Sequence, residues 1–255
     1  MTSNVRAGCV EALTRPDGDH APWVIIDIGF SSRGRSCGIT INGKPIPDPV
    51  LGYNANPSKP RKLGDKHYGM LCPAIKEWLH NDESAVKERA INLMIEAPLS
   101  MAFASRSNSD ANPQGVLQGN PIARIPDRLE GTDTDGSTQT QQRLWYTQPA
   151  SGLMVASMRL IQELASALED WEIRLFEGFV SFKDGDEPEG HWQDTCKLWQ
   201  AIPITSSSHQ PQRRPIVDTT IGKAESVLGL MGFTPDADIP PILRVTGSGP
   251  ATVFA

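Results

Sequence analysis

Four places in this chain carry residue types that could do chemistry together. Asp27 closes Trp23-Val24-Ile25-Ile26, an apolar run that reads as a buried strand, and Gly29 follows two positions later. A carboxylate carried into the interior costs several kcal/mol unless something pairs with it. Asp27 is therefore expected to be the first acid of a metal-dependent active site, against the plainer reading of a solvated acid starting a turn. Glu96 stands at the end of a second apolar run, Ala90 to Ile95, with Pro98 just beyond. Glu177 lies inside IRLFEGFVSF, where strand alternation puts it on the face of Ile173, Leu175 and Phe179. His191 and Asp194 are spaced i, i+3, which on a helix points both from one face.

The elements that must position these residues can be read in order. Residues 1–21 are polar and look like a loosely held lead-in. A strand over about 23–28 precedes an alternating segment, Ser36 to Ile41, that ends at Asn42-Gly43. Asn-Gly suits a two-residue hairpin turn because both central residues must take positive φ. A third strand is then expected at about 44–51. Pro45, Pro47 and Pro49 place it at a sheet edge, since proline cannot donate to a ladder. A helix is expected over about 70–80 with Pro73 near its start, one or two more turns over 82–90, and the strand at 90–95.

From Ser100 to Pro149 the chain turns to Ser, Asn, Asp, Gly, Thr and Gln. Long irregular loops inside compact domains are unusual and are often functional or disordered. Arg106, Arg124, Arg128, Arg143, Trp145 and Tyr146 would make this one a substrate-contacting lid, or else a variable surface insertion. Apolar residues at three-to-four spacing from Leu153 to Leu168 predict a helix over 151–170. A strand follows at 173–182, then an acidic turn, a short helix from His191 to about Ile202, and a Ser/Gln/Pro linker. Val217, Ile221, Ala224, Leu228 and Met231 suggest a last helix over 216–232, before Ile242-Leu243-Arg244-Val245 and a Gly-Ser-Gly-Pro turn. The lead-in, a domain over 23–202 with its insertion, and 203–255 read as parts of one domain.

Bulk properties exclude several classes. The chain has 255 residues, 38% of them hydrophobic, and a mean hydropathy of −0.33. That is enough to bury a core without covalent staples. Cys9, Cys37, Cys72 and Cys196 are scattered and form no CxxC, so neither a zinc ribbon nor a disulfide framework is indicated. The first 22 residues carry charges and no apolar stretch, so no signal peptide is expected, and nothing is long enough to span a membrane. The expected compartment is the cytoplasm. A net charge of −6 argues against a stand-alone nucleic-acid binder, because neutralising phosphates normally supplies most of the affinity. Basic surface would have to be local, or come from a protein partner.

Taken together, three strands with a hairpin between the second and third, then helix, strand, helix, strand and helix, resemble the ribonuclease H-like fold. That is an α/β fold whose mixed five-stranded sheet runs 3-2-1-4-5 between helices, here with a long polar insertion after strand four. The resemblance implies that strands one and four are parallel neighbours, so that Asp27 and Glu96 lie side by side. Two such acids repel unless a divalent cation or a shared proton compensates them. HxxD after strand five is similar to the last motif of RuvC-type resolvases. The resemblance thus implies a site of Asp27, Glu96 and Asp194, with His191 or Glu177 assisting. These oxygen ligands suit Mg²⁺ or Mn²⁺. Two ions could activate a water and stabilise the leaving oxygen in phosphodiester hydrolysis, with His191 ligating or shuttling a proton.

WVIIDIGF with CGI, MIEAPLSMAF and RLFEGFVSF is also similar to an uncharacterised branch of predicted ribonuclease H-like nucleases. There the acid of the fifth strand, here Glu177, belongs to the pattern. The likeness covers about half the chain and leaves out 100–149 and the tail after about 203.

Two other functions remain open. A non-catalytic subunit of the same fold would use its acidic surface, with Trp145, Tyr146 and Trp192 as anchors, for assembly. An actin-like kinase would use 24–29 as a phosphate loop, but its second Asp-x-Gly loop is not found. Asp184 and Asp186 in the acidic turn, and Asp218 and Glu225 on the expected last helix, are rival acids. His20, His67, His80 and His209 read as solvated. The sequence does not choose among DNA, RNA and a nucleotide, or give an oligomeric state. One distance tests the site: carboxylates of Asp27 and Glu96 more than roughly 8 Å apart could not share an ion.

Overall fold

The computed structural model describes residues 4–15, 21–28, 37–45, 65–105, 119–132, 138–142, 144–148, 150–181, 190–204, 212–233, 238–246 and 251–255. The strands are β1 (Val5–Ala7), β2 (Trp23–Ile28), β3 (Cys37–Ile41), β4 (Lys44–Pro45), β5 (Ala90–Ile95), β6 (Ser100–Ala104), β7 (Arg128–Thr132), β8 (Thr138–Gln142), β9 (Glu172–Ser181), β10 (Gln212–Arg214), β11 (Gly222–Ser226), β12 (Ile242–Thr246) and β13 (Thr252–Phe254). The helices are α1 (Asp65–Asn81), α2 (Glu83–Glu88), α3 (Ala150–Ala167), α4 (Gly190–Ala201) and the single turn α5 (Val227–Leu230).

The main sheet is mixed and runs β10-β13-β12-β9-β5-β2-β3-β4. β2, β5, β9 and β12 are parallel neighbours, while β3, β4 and β13 join antiparallel. The path β4-β3-β2-β5-β9 is the expected 3-2-1-4-5 order, with three strands of the C-terminal segment added beyond the fifth. β4 is an edge strand, as its proline requires. The stretch beyond it, with Pro47 and Pro49, lies outside the described residues.

Alternation along the strands sorts their side chains between two helical layers. Val24, Ile26, Ile91, Leu93, Ile95, Ile173 and Leu175 face α1 and α3, in one core with Ile75, Leu79, Leu160, Ile161 and Leu164. Trp23, Ile25, Met94, Phe176 and Val180 face the other way and pack with Leu198 of α4 and with Ile202 just past its end. Strands buried on both faces read as unbroken apolar runs, and so β2 and β5 were legible as strands but not as to which residue faces which layer.

Several expectations need correcting. The N-terminal segment is not a loose lead-in: β1 pairs parallel with β9, and the Asn4 side chain donates to the carbonyls of Ala165 and Leu168 at the end of α3. Helix α1 starts at Asp65 and runs through Pro73. Pro73 is exposed, while Cys72, Ile75 and Leu79 are buried, so packing against α3 carries the helix past the missing amide donor. The polar insertion is not structureless, since β6 pairs with β11 and β7 with β8. Nor is there a last helix over 216–232. The Asp218 side chain accepts from the amide and hydroxyl of Thr220, forming a turn, and 222–226 is a strand. At Gly222 a Cβ would come within 2.8 Å of the Phe103 carbonyl, an approach only glycine allows. The helical spacing there was coincidental. Among the described residues no helix is long and apolar enough to cross a membrane.

Helix α4 is held down on the sheet from three directions. A Cβ on Gly178 of β9 would lie 2.7 Å from a methyl of Leu198. Arg15 lies with its guanidinium 5.2 Å from the Trp199 ring centre and donates to the carbonyls of Gln200, in the last turn of the helix, and of Ile202 just beyond it. The β3–β4 hairpin turns through Asn42 (φ 49°) and Gly43 (φ 75°), with Gly43 against the Trp199 indole. Gly43→Ala should therefore cost about 1–2 kcal/mol from the left-handed backbone alone. The collision with Trp199 adds to this, and urea denaturation should show a lowered midpoint with an unchanged slope.

Candidate metal centre

The register of the parallel strands brings the first two acids together. Ile26 of β2 is level with Ile95 of β5, and the Glu96 amide donates to the Ile26 carbonyl at 2.8 Å. Asp27 and Glu96 are thus neighbours at the same end of the sheet. By alternation Asp27 follows Trp23 and Ile25, and Glu96 follows Met94, onto the α4 face. On the other side of β2, Asp27 is paired with Gly38, which puts no side chain beside it.

The third acid comes from α4. Asp194 lies one turn before Leu198, the residue seated on Gly178, so the packing that presses the helix onto β9 also aims Asp194 at the strand ends. Asp27, Glu96 and Asp194 are 2%, 2% and 1% exposed, and each offers an oxygen within 4.8 Å of those of the other two. Oxygens bound on opposite sides of one hard cation lie roughly 4–5 Å apart. The donor set is all carboxylate, and its spacing fits around an ion such as Mg²⁺ or Mn²⁺. The 8 Å limit for shared ligation is met.

His191 comes from the same helix face. Its Nδ1 is 2.7 Å from Asp27 Oδ2, and its side chain is 32% exposed. An ionised carboxylate only accepts, so with Asp27 ionised the proton of this pair sits on Nδ1. The i, i+3 spacing of His191 and Asp194 thus does what it suggested.

Glu177 does not join this set. Ile173 and Leu175 put it on the α3 face of β9, across the sheet from Asp27. There its Oε2 accepts from the Leu99 amide at 2.8 Å and from Arg124 Nη1 at 2.7 Å. Arg124 also donates to the Ser100 hydroxyl and, through Nε and Nη2, to Asp127. All three charged groups are 1% exposed or less. Burial works against Arg124's charge, but Glu177 and Asp127 outweigh it and raise its pKa further. Burial pushes the Glu177 carboxyl up from the ordinary range, against the pull of Arg124 and the Leu99 amide. Arg124 is therefore no lid cation; it ties the polar insertion to β9. Arg124-Ile125-Pro126-Asp127, opposite charges three apart across a proline, was the available signal for this pair.

The rival residues fall away for local reasons. Asp218 is exposed in its turn, its pKa lowered by the Thr220 hydroxyl and amide, and Glu225 is exposed on β11. Trp145 is no surface anchor: it is buried, donates to the Ile122 carbonyl, and makes edge contacts with Phe103 and Tyr146, itself half-buried. His80 is exposed beside the Lys76 carbonyl. His20, His209, Asp184, Asp186, Arg106 and Arg143, with the side chains of His67 and Trp192, lie outside the described residues. No family model, curated protein or solved structure matches this chain, so the chemistry of the site is read from its own geometry.

The two acid clusters should respond oppositely to neutralisation. In metal-free protein Asp194→Asn relieves repulsion among three buried carboxylates, and should raise the thermal midpoint. Glu177→Ala leaves Arg124 one carboxylate short in the interior, and should lower stability by about 3–5 kcal/mol. Calorimetric melts of both variants with chelator present check this.

Proposed function

We propose that this chain is a divalent-metal-dependent phosphodiester hydrolase, a nuclease of ribonuclease H-like fold. The observation that carries the reading is the meeting of Asp27, Glu96 and Asp194, all buried, with oxygens within 4.8 Å. Carboxylates packed this closely out of water are stable only with a compensating charge or proton, and a divalent cation is one such charge. The strand order β4-β3-β2-β5-β9 supports the fold assignment, since it is the 3-2-1-4-5 order of that superfamily.

Asp27, Glu96 and Asp194 would hold Mg²⁺ or Mn²⁺. Such an ion supplies Lewis-acid polarisation of a phosphoryl oxygen and lowers the pKa of a bound water. The chain's own part is to fix geometry and handle the proton. Asp27 orients the His191 ring through Nδ1, and Nε2 takes the proton from the attacking water. With His191 half-exposed beside three almost fully buried acids, a reacting phosphodiester would sit at the mouth of the site. The substrate class is nucleic acid, with Arg128, Arg213 and Arg214 exposed on the described surface as local cations. A protein partner would add the further basic surface that a net charge of −6 withholds.

Burial of Trp145 removes one support for a purely assembling subunit. The discriminating measurement is calorimetry of Mn²⁺ binding to metal-stripped protein, with cleavage of labelled single- and double-stranded DNA and RNA followed in parallel. Intact protein should bind Mn²⁺ and cleave at least one substrate. Asp27→Asn should weaken binding tenfold or more, about 1.4 kcal/mol, and abolish cleavage. Intact protein with no affinity for Mn²⁺ would sink the proposal.

A further inference from the structure

Glu96 is held differently from the other two acids of the centre. Asp27 lies within β2 and Asp194 within α4, so regular backbone on both sides fixes each of them. Glu96 is the first residue past the end of β5. Its amide bonds to the Ile26 carbonyl of β2 at 2.8 Å, but the next amide, that of Ala97, turns back to the Ile95 carbonyl at 2.9 Å. That closes a three-residue turn, of a kind common at strand ends, with Glu96 at its apex. Beyond the apex the chain belongs to no strand until β6 starts at Ser100.

The chain is caught again at once, on the opposite face of the sheet. The Leu99 amide donates to Glu177 Oε2 at 2.8 Å, and the Leu99 carbonyl accepts from the Val227 amide at 3.0 Å. At Ser100 the carbonyl and the hydroxyl both accept from Arg124 Nη1, which also donates to Glu177 Oε2 at 2.7 Å. Glu177 is level with Ile95, the residue before Glu96, so the clamp is fastened to the strand beside the one that the turn leaves. Only Ala97 and Pro98 lie between Glu96 and Leu99, and both are stiff. Proline fixes its own φ and keeps the residue before it extended. Every residue from Glu96 to Ser100 is buried in close packing. A buried segment this short cannot shift at one end without shifting at the other.

We infer that Glu177 and Arg124 are positioning residues for Glu96: the ion cluster on the α3 face sets where Glu96 presents its carboxylate in the metal centre on the α4 face. This rests on the metal-dependent reading of the site and gives that site a support outside itself. The insertion that carries Arg124 is thereby coupled to the metal centre through the backbone of the turn.

The link is tested by calorimetry of Mn²⁺ binding to metal-stripped protein, on variants whose fold is checked by near-ultraviolet circular dichroism. Glu177→Ala takes the acceptor from the Leu99 amide and should weaken binding about tenfold or more, as loss of a support behind a ligand does. Glu177→Gln keeps an acceptor oxygen there and should stay within about threefold of the intact protein, below what a lost support costs. A tenfold loss in Glu177→Gln as well would make the charge of Glu177 the cause, and overturns the inference.

Pro98→Gly leaves the partners of the clamp in place and frees the chain between it and Glu96. It too should weaken binding about tenfold, and an unchanged affinity overturns the inference even if Glu177→Ala does not fold. Leu79→Ala opens a cavity in α1, against the same apolar core, and lowers stability without touching the turn. Its affinity should match that of the intact protein; a tenfold loss there means that any destabilisation loosens the centre, which refutes positioning. Intact protein that binds no Mn²⁺ overturns the metal-dependent reading and this inference with it, whereas binding that ignores every variant overturns this inference alone.

Discussion

Negative charge withdrawn from water has to be compensated within a few ångströms, and the end of this sheet carries such charge on both of its faces. On the α3 side Glu177 and Asp127 share the guanidinium of Arg124, whose donors are divided between them. On the α4 side Asp27, Glu96 and Asp194 converge at a similar depth. Burying an isolated carboxylate is far more costly than a typical fold can tolerate. The placement of these five acids therefore dictates where the arginine, the histidine and helix α4 must sit.

The rest of the architecture serves to hold that convergence. Asp194 reaches the strand ends only because α4 lies close on the sheet, and it does so because Gly178 and Gly43 leave room for Leu198 and Trp199. Arg15 fixes the far end of the same helix. The N-terminal segment, the hairpin and the fifth strand of the 3-2-1-4-5 path thus all contribute to the position of one side chain. The insertion acts on the other face, where Arg124 and the Leu99 amide bind Glu177.

What could be read from the sequence was whatever is encoded locally. The apolar runs of β2, β5 and β9, the periodicity of α3, the Asn42-Gly43 turn and the HxxD spacing all emerged as written. The misses share a cause. β1, β6 and β11 are short and owe their existence to partners far away in the chain, so no window of sequence contains the reason for them. Glu177 was assigned to the right face of its own strand, beside Ile173 and Leu175. What could not be seen was that Asp27 belongs to the opposite face, because Trp23 to Ile28 is apolar on both sides apart from Asp27 and shows no alternation. Arg124 looked like a surface cation because it sits in polar sequence, and only its partners on β6 and β9 explain its burial.

The ten-residue strand β9 is bordered along one side by β5 only as far as Glu177, while β1 covers 173–175 and β12 covers 177–181. Its hydrogen bonding is therefore completed by segments from near the beginning and near the end of the chain described here. Contacts of such long sequence separation form late, because closing large loops costs entropy before the pairing returns any stability. During synthesis β9 would emerge with the backbone N–H and C=O groups of residues 177–181 still waiting for β12. Unpaired strand edges of this kind invite mispairing, so an inner strand of this sheet shares during folding a hazard that the finished fold confines to its edges.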